Sequence, residues 1–176
     1  KPSDTVLEVG CEGGNLLRSL PEVKGIVGVD ISGRALKDAQ SRLAGQNRQG
    51  QFYQLDAQQA LPFTSGEFEV IICSEMLEHV ENPRAVIENI HAIATDQTRI
   101  VLSVPIEEPK VIVKQFLRNI GLIGLLFPGI EEEQSEGHLH AFSPQQLLDL
   151  TTNLFKVQRS QKIWGIHYVV LLAKSS

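Results

Sequence analysis

The stretch Thr5-Val-Leu-Glu-Val-Gly10-Cys-Glu-Gly-Gly-Asn15 runs from a short apolar segment, bounded by Asp4 and Gly10, through three glycines into a helical pattern. A short apolar run of this kind reads as a buried parallel strand. Glycines between a strand and a helix mark a place where backbone must approach a ligand closely. Gly25-Ile-Val-Gly-Val29 and Phe68 to Cys73 repeat the strand pattern, and Gln51 to Gln54 is a shorter candidate. Helical patterns lie between and after them: Asn15 to Leu20, Ser32 to Leu43 with Ala35, Leu36, Ala39 and Leu43 on one face, and Pro83 to Ile93 with Val86, Ile87, Ile90 and Ile93. Arg99 to Val104 is a further strand, Ser143-Pro144 caps a helix running to about Thr152, and Phe155 to Ser160 and His167 to Ala173 are the final strands. Alternation of strand and helix with right-handed crossovers predicts an α/β, Rossmann-like, doubly wound sheet, mostly parallel, in one domain over 1–176.

The bulk numbers agree with one globular domain: 176 residues, 42% hydrophobic and 21% charged. The net charge of −5 is spread without a Lys/Arg cluster, so nucleic acid is a disfavoured partner. Two cysteines, Cys11 and Cys73, are too few for a disulfide framework and suit a reducing cytoplasm. The longest apolar run, Ile120 to Ile130, holds three glycines and a proline and is too short to cross a bilayer. The chain opens at Lys1-Pro2-Ser3-Asp4 without a methionine and reaches its first strand almost at once, the opening expected where upstream residues are missing.

A dinucleotide fingerprint beginning at Gly10 requires glycines where Glu12 and Asn15 stand, so a nicotinamide or flavin reading fails on spacing. Taken alone, the motif is equally an ordinary glycine turn. Val27-Gly-Val-Asp30 adds a carboxylate at the next strand end, about twenty residues on, where this fold grips ribose hydroxyls. Leu55-Asp56-Ala57 adds a third, placed to accept a hydrogen bond from an adenine amino group or to serve as a turn residue.

These motifs make the chain resemble the class I S-adenosylmethionine-dependent methyltransferases from Thr5 onward. The resemblance implies a seven-stranded sheet with an antiparallel C-terminal strand and S-adenosylmethionine as cofactor. Glu8 and the turn Gly10, Cys11, Gly13 and Gly14 then hold the methionine part. Asp30 holds the ribose with Ile31 and Ser32 beside it, Asp56 and Ala57 hold the adenine, and Ser74 borders the same site. Glu12 departs from the glycine common at its position. Cys11 and Cys73, at the ends of the first and fourth strands, are expected as neighbouring reduced thiols near the cofactor.

Phe68-Glu-Val-Ile-Ile-Cys-Ser-Glu-Met-Leu-Glu-His-Val-Glu-Asn-Pro83 ends a strand and turns toward a helix. If Glu75 to Val80 form a helical turn, Glu75, Glu78 and His79 share a face, where two carboxylates and an imidazole bind a divalent cation or organise proton transfer. A solvated acidic helix start is the other reading. The segment is similar to those of the quinone-biosynthesis O-methyltransferase branch and of the small-RNA 3′-terminal 2′-O-methyltransferases, both of which place such residues near the acceptor hydroxyl. Gly137-His-Leu-His-Ala-Phe-Ser-Pro144 also resembles both, so His138 or His140 is expected to complete a site with Glu75, Glu78 and His79. His79, Glu78 and His140 are the catalytic candidates, His79 first as base or metal ligand.

A substrate-side insertion or lid is expected over 106–140. Within it, Val111 to Phe127 is apolar with Lys110, Lys114 and Arg118 interleaved, either a cover over the core or a lid touching a membrane surface. The expected chemistry is in-line displacement of the sulfonium methyl by an acceptor oxygen, the protein supplying alignment, water exclusion and removal of the hydroxyl proton. The small acceptor is apolar or quinone-like on this resemblance. RNA 3′-terminal methylation and a cofactor-binding domain without activity are the alternatives. Nitrogen- or carbon-directed transfer lacks the Asn-Pro-Pro-Tyr-like motif, since Ser74-Glu75-Met76-Leu77 stands there.

Overall fold

The computed structural model describes residues 1–106 and 139–175. The strands are β1 (Thr5–Val9), β2 (Gly25–Asp30), β3 (Gln51–Gln54), β4 (Val70–Ser74), β5 (Arg99–Pro105), β6 (Phe155–Ile163) and β7 (His167–Lys174). The helices are α1 (Asn15–Ser19), α2 (Gly33–Ala44), α3 (Pro83–Ile93) and α4 (Pro144–Thr151). One seven-stranded sheet forms in the order β3-β2-β1-β4-β5-β7-β6. Strands β1 to β5 pair in parallel, while β7 runs antiparallel between β5 and β6. The expected Rossmann-like sheet with its antiparallel C-terminal strand is therefore present.

Side-chain alternation feeds two cores on opposite faces of the sheet. Ile26 joins Cys11, Leu17, Leu36 and Leu43 beneath α1 and α2, whereas its neighbour Val27 joins Leu7, Val9, Ile71 and the α3 residues Val86, Ile87 and Ile90. The helix starts follow the sequence signals. Ser32 Oγ accepts from Ala35 N at 3.2 Å, Asn82 Oδ1 from Ala85 N at 3.1 Å, and Ser143 with Gln146 forms a reciprocal capping box ahead of α4.

Two boundaries differ from expectation. Strand β4 starts at Val70, because Phe68 drops into the core at 2% exposure and its carbonyl accepts from Thr98 Oγ1 at 3.2 Å. Strand β6 continues to Ile163 through a register shift between Val157 and Arg159, since it closes a hairpin with β7.

The chain leaves β1 toward β2 and β3 on one side and returns to β4 and β5 on the other, so the topological switch point lies between β1 and β4. Ligands of open α/β sheets bind at such a point, beyond the carboxyl ends of the strands.

Candidate active site

The glycine turn is set by backbone geometry. Gly10 and Cys11 both donate to the Val29 carbonyl, at 2.8 and 2.9 Å, which folds the chain sharply over the end of β2. Gly10 has φ 74°, and a Cβ there would lie 2.8 Å from Met76 Cβ. Gly14 has φ 71°, and a Cβ there would lie 2.8 Å from Ala39 Cβ in α2. The first glycine therefore permits close approach at the site, and the second permits packing of the turn on a helix. Asp30 locks the arrangement by accepting from Glu12 N and Ser32 N, both at 2.8 Å.

A cavity of about 850 Å³ opens at this switch point, within the range of small-molecule sites. One wall, beside the glycine turn, includes Glu8, Gly10, Cys11, Asp30 and Ile31. Asp56, Ala57 and Ser74, also expected from the sequence, line it too. Gly13, Gly14 and Ser32 are absent from the wall: the Gly13 carbonyl accepts from Arg42 Nη1 at 2.9 Å, Gly14 packs on α2, and Ser32 caps α2.

Glu8 is the electrostatic feature of the cavity. It is 3% exposed, and its Oε2 has no hydrogen-bond partner among the described residues. Burial, and then the nearby charges of Asp30 and Glu12, push its pKa up to about 8. Burial and the charges of Glu8 and Asp30 likewise push the Cys11 thiol up to about 12, and burial raises that of Cys73. Both thiols are free, as expected, but they enter different cores, and only Cys11 reaches the cavity. Cys73 sits within β4 and Cys11 in the turn beyond β1, and their side chains pack into separate cores.

The opposite wall corrects the reading of Glu75 to Val80. Glu75 has φ 51°, outside the helical region, and only Leu77–His79 form a single 3-10 turn. The helical face expected to carry the three side chains is therefore not formed. Glu75 lines the cavity but is drawn back to the sheet, its Oε1 accepting from Ser103 Oγ at 2.6 Å and its Oε2 pairing with His167 Nδ1 at 2.9 Å. Glu78 is 1% exposed and off the cavity wall, and its carbonyl accepts from Leu139 N and His140 N at 2.7 and 3.2 Å. His79 is exposed at the cavity edge.

His140 does not join them. Its Nε2–H donates to the Val80 carbonyl at 2.9 Å, so the ring anchors the returning chain, while Leu139 reaches the cavity instead. His138, and 111–127 with the proposed membrane contact, lie outside the described residues. Among the described residues no group of three or more His, Cys, Asp or Glu is placed to hold a metal ion, and the expected cation set that includes His138 lies partly outside them.

A family model described as the methyltransferase domain matches residues 1–154. The chain belongs to the methyltransferase domain family. It is 39% identical over 83 residues to the ubiquinone biosynthesis O-methyltransferase of Thiobacillus denitrificans, an alignment covering 47% of this chain and 36% of that protein. It is 25% identical over 167 residues to the enzyme of the same name from Aeromonas salmonicida, covering 94% and 67%. The first of these alignments thus spans about a third of its relative's length. Among solved structures, magnesium protoporphyrin IX methyltransferase from Synechocystis PCC 6803 with bound SAH superposes with TM-score 0.72 at 22% identity, over 99% of this chain and 75% of that one. That likeness is one of fold.

Several residues of this methyltransferase domain escaped the sequence reading. His167 and Ser103 hold Glu75 but stand 92 and 28 positions from it in the chain. Gln58 lines the cavity two residues beyond Asp56, where the Asp-turn signal gave the only hint. Met76 and Leu139 add apolar wall, Met76 through the contact that requires glycine at position 10.

Proposed function

We propose that the chain is an S-adenosylmethionine-dependent methyltransferase acting on a hydroxyl of a small, apolar or quinone-like acceptor. The observation that carries this reading is the gathering of Glu8, Asp30 and Asp56, from the ends of three adjacent strands, on one cavity at the switch point. Glu8, buried and with an oxygen lacking a partner, suits a cationic ligand group such as the methionine ammonium. Asp30 suits the ribose and Asp56 the adenine. When bound, the cofactor supplies a methyl group already activated by a sulfonium.

The chain's own work is then alignment, exclusion of water and disposal of one proton. Met76, Val80 and Leu139 give the acceptor side an apolar wall, which suits a ring-bearing acceptor. His79 lines the cavity edge, which supports assigning it removal of the acceptor's proton. The O-methyltransferase names of the relatives support an oxygen as the attacking atom. Incubation with methyl-labelled S-adenosylmethionine and catechol tests the reaction directly. Label appearing in a methyl ether is the expected result. Cofactor binding with no transfer to any hydroxyl probe would reduce the chain to a binding domain.

A further inference from the structure

Asp56 sits in a turn that is held from several directions. Gln58 donates to Asp56 Oδ1 twice, through its backbone N–H at 2.9 Å and its side-chain Nε2 at 3.3 Å. The other end of the same amide is also engaged, because Gln58 Oε1 accepts from Asn82 N at 2.8 Å, and Asn82 is the N-cap of α3. Farther along α3, Asn89 Nδ2 donates to the Ala57 and Gln59 carbonyls at 2.9 and 2.7 Å. The residues on both sides of Gln58 are therefore tied to α3 through their carbonyls. That helix is itself rooted in the core through Val86, Ile87 and Ile90, each fully buried.

The effect of this bracing falls on one carboxylate at the cavity wall. A carboxylate free to rotate accommodates whatever faces it. One whose Oδ1 is fixed by two donors presents its remaining acceptor capacity in a set direction. A 6-amino purine donates to such an acceptor, whereas a 6-oxo purine meets it with lone pairs.

We propose that Gln58 and Asn89 are positioning residues that fix Asp56 and thereby make the cavity select an amino purine over an oxo purine. The assignment rests on the S-adenosylmethionine reading above. Neither residue need touch the ligand's reacting centre; both act through Asp56.

The test uses two probes differing at the 6-substituent and the N1 proton that the oxo form carries, S-adenosylhomocysteine and S-inosylhomocysteine, titrated calorimetrically into the wild-type chain, Gln58→Leu and Asn89→Leu. Gln58→Leu keeps the backbone bond to Oδ1 and removes both side-chain bonds. Wild type is expected to prefer the amino ligand by about tenfold or more, the factor attached to one hydrogen bond to an ionised group. Each variant is expected to narrow that preference by about threefold or more, a partial loss of the same hydrogen bond. Because the ratio is taken within one protein, a fraction that fails to fold lowers both apparent affinities equally and leaves the ratio unmoved. A wild-type ratio near one, or a wild-type ratio retained in both variants, overturns the proposal. A wild-type chain that binds neither probe overturns the cofactor reading itself, a result distinct from binding without selectivity.

Discussion

Glu8 is a residue whose placement works against folding and for binding. Its carboxyl is buried at the end of β1, and its pKa stands near 8 against an ordinary 4.5. Below 4.5 both folded and unfolded chains carry the proton; between 4.5 and about 8 only the unfolded chain releases it, so stability falls as pH rises across that window and levels above it. Glu8→Gln removes this pH dependence. Urea titrations at several pH values should therefore show the wild type losing stability relative to Glu8→Gln from pH 5 to 8, by at most about 1.4 kcal/mol per pH unit. A constant difference between the two proteins over that range would contradict the burial argument. Glu8 was legible in the sequence as an acid at a strand end, but its burial was not, because depth depends on how β2 and β4 flank β1.

Among the elements, α3 carries both stability and site geometry. Its apolar residues recur at helical spacing, so its span and buried face were readable directly, as were those of α2. Ile87→Ala should cost about 2–5 kcal/mol, read from the shift in denaturant midpoint, because the side chain is wholly enclosed. A loss under about 1 kcal/mol would mean that the helix is not packed as described. The turn before α3 was misread for a physical reason. Glu75, Glu78 and His79 have helical spacing, but Glu75 takes a left-handed conformation that its residue type does not announce, and its carboxylate is claimed by Ser103 and His167. Those partners meet it only once β5 and β7 lie side by side, a pairing of distant segments that local pattern does not reveal. The same holds for His140, expected from the resemblance as one of two histidines that could complete the site, because a single backbone carbonyl at Val80 decides where its ring nitrogen goes.

At the scale of the whole molecule, the strand order brings the glycine turn and the carboxylates of β1, β2 and the β3 exit together over one opening. This level was readable because the acids fall at strand ends and the strands alternate with helices, and the switch point follows from that connectivity. On the function proposed above, this opening binds S-adenosylmethionine through the three carboxylates. Calorimetric titration with S-adenosylhomocysteine tests it most directly, using the wild-type chain and Asp30→Ala. Wild type should bind at micromolar strength, about 8 kcal/mol, and Asp30→Ala should bind about 1.5–3 kcal/mol more weakly, as expected for loss of a hydrogen bond to a charged group. No binding of S-adenosylhomocysteine together with tight binding of NADH would contradict the claim.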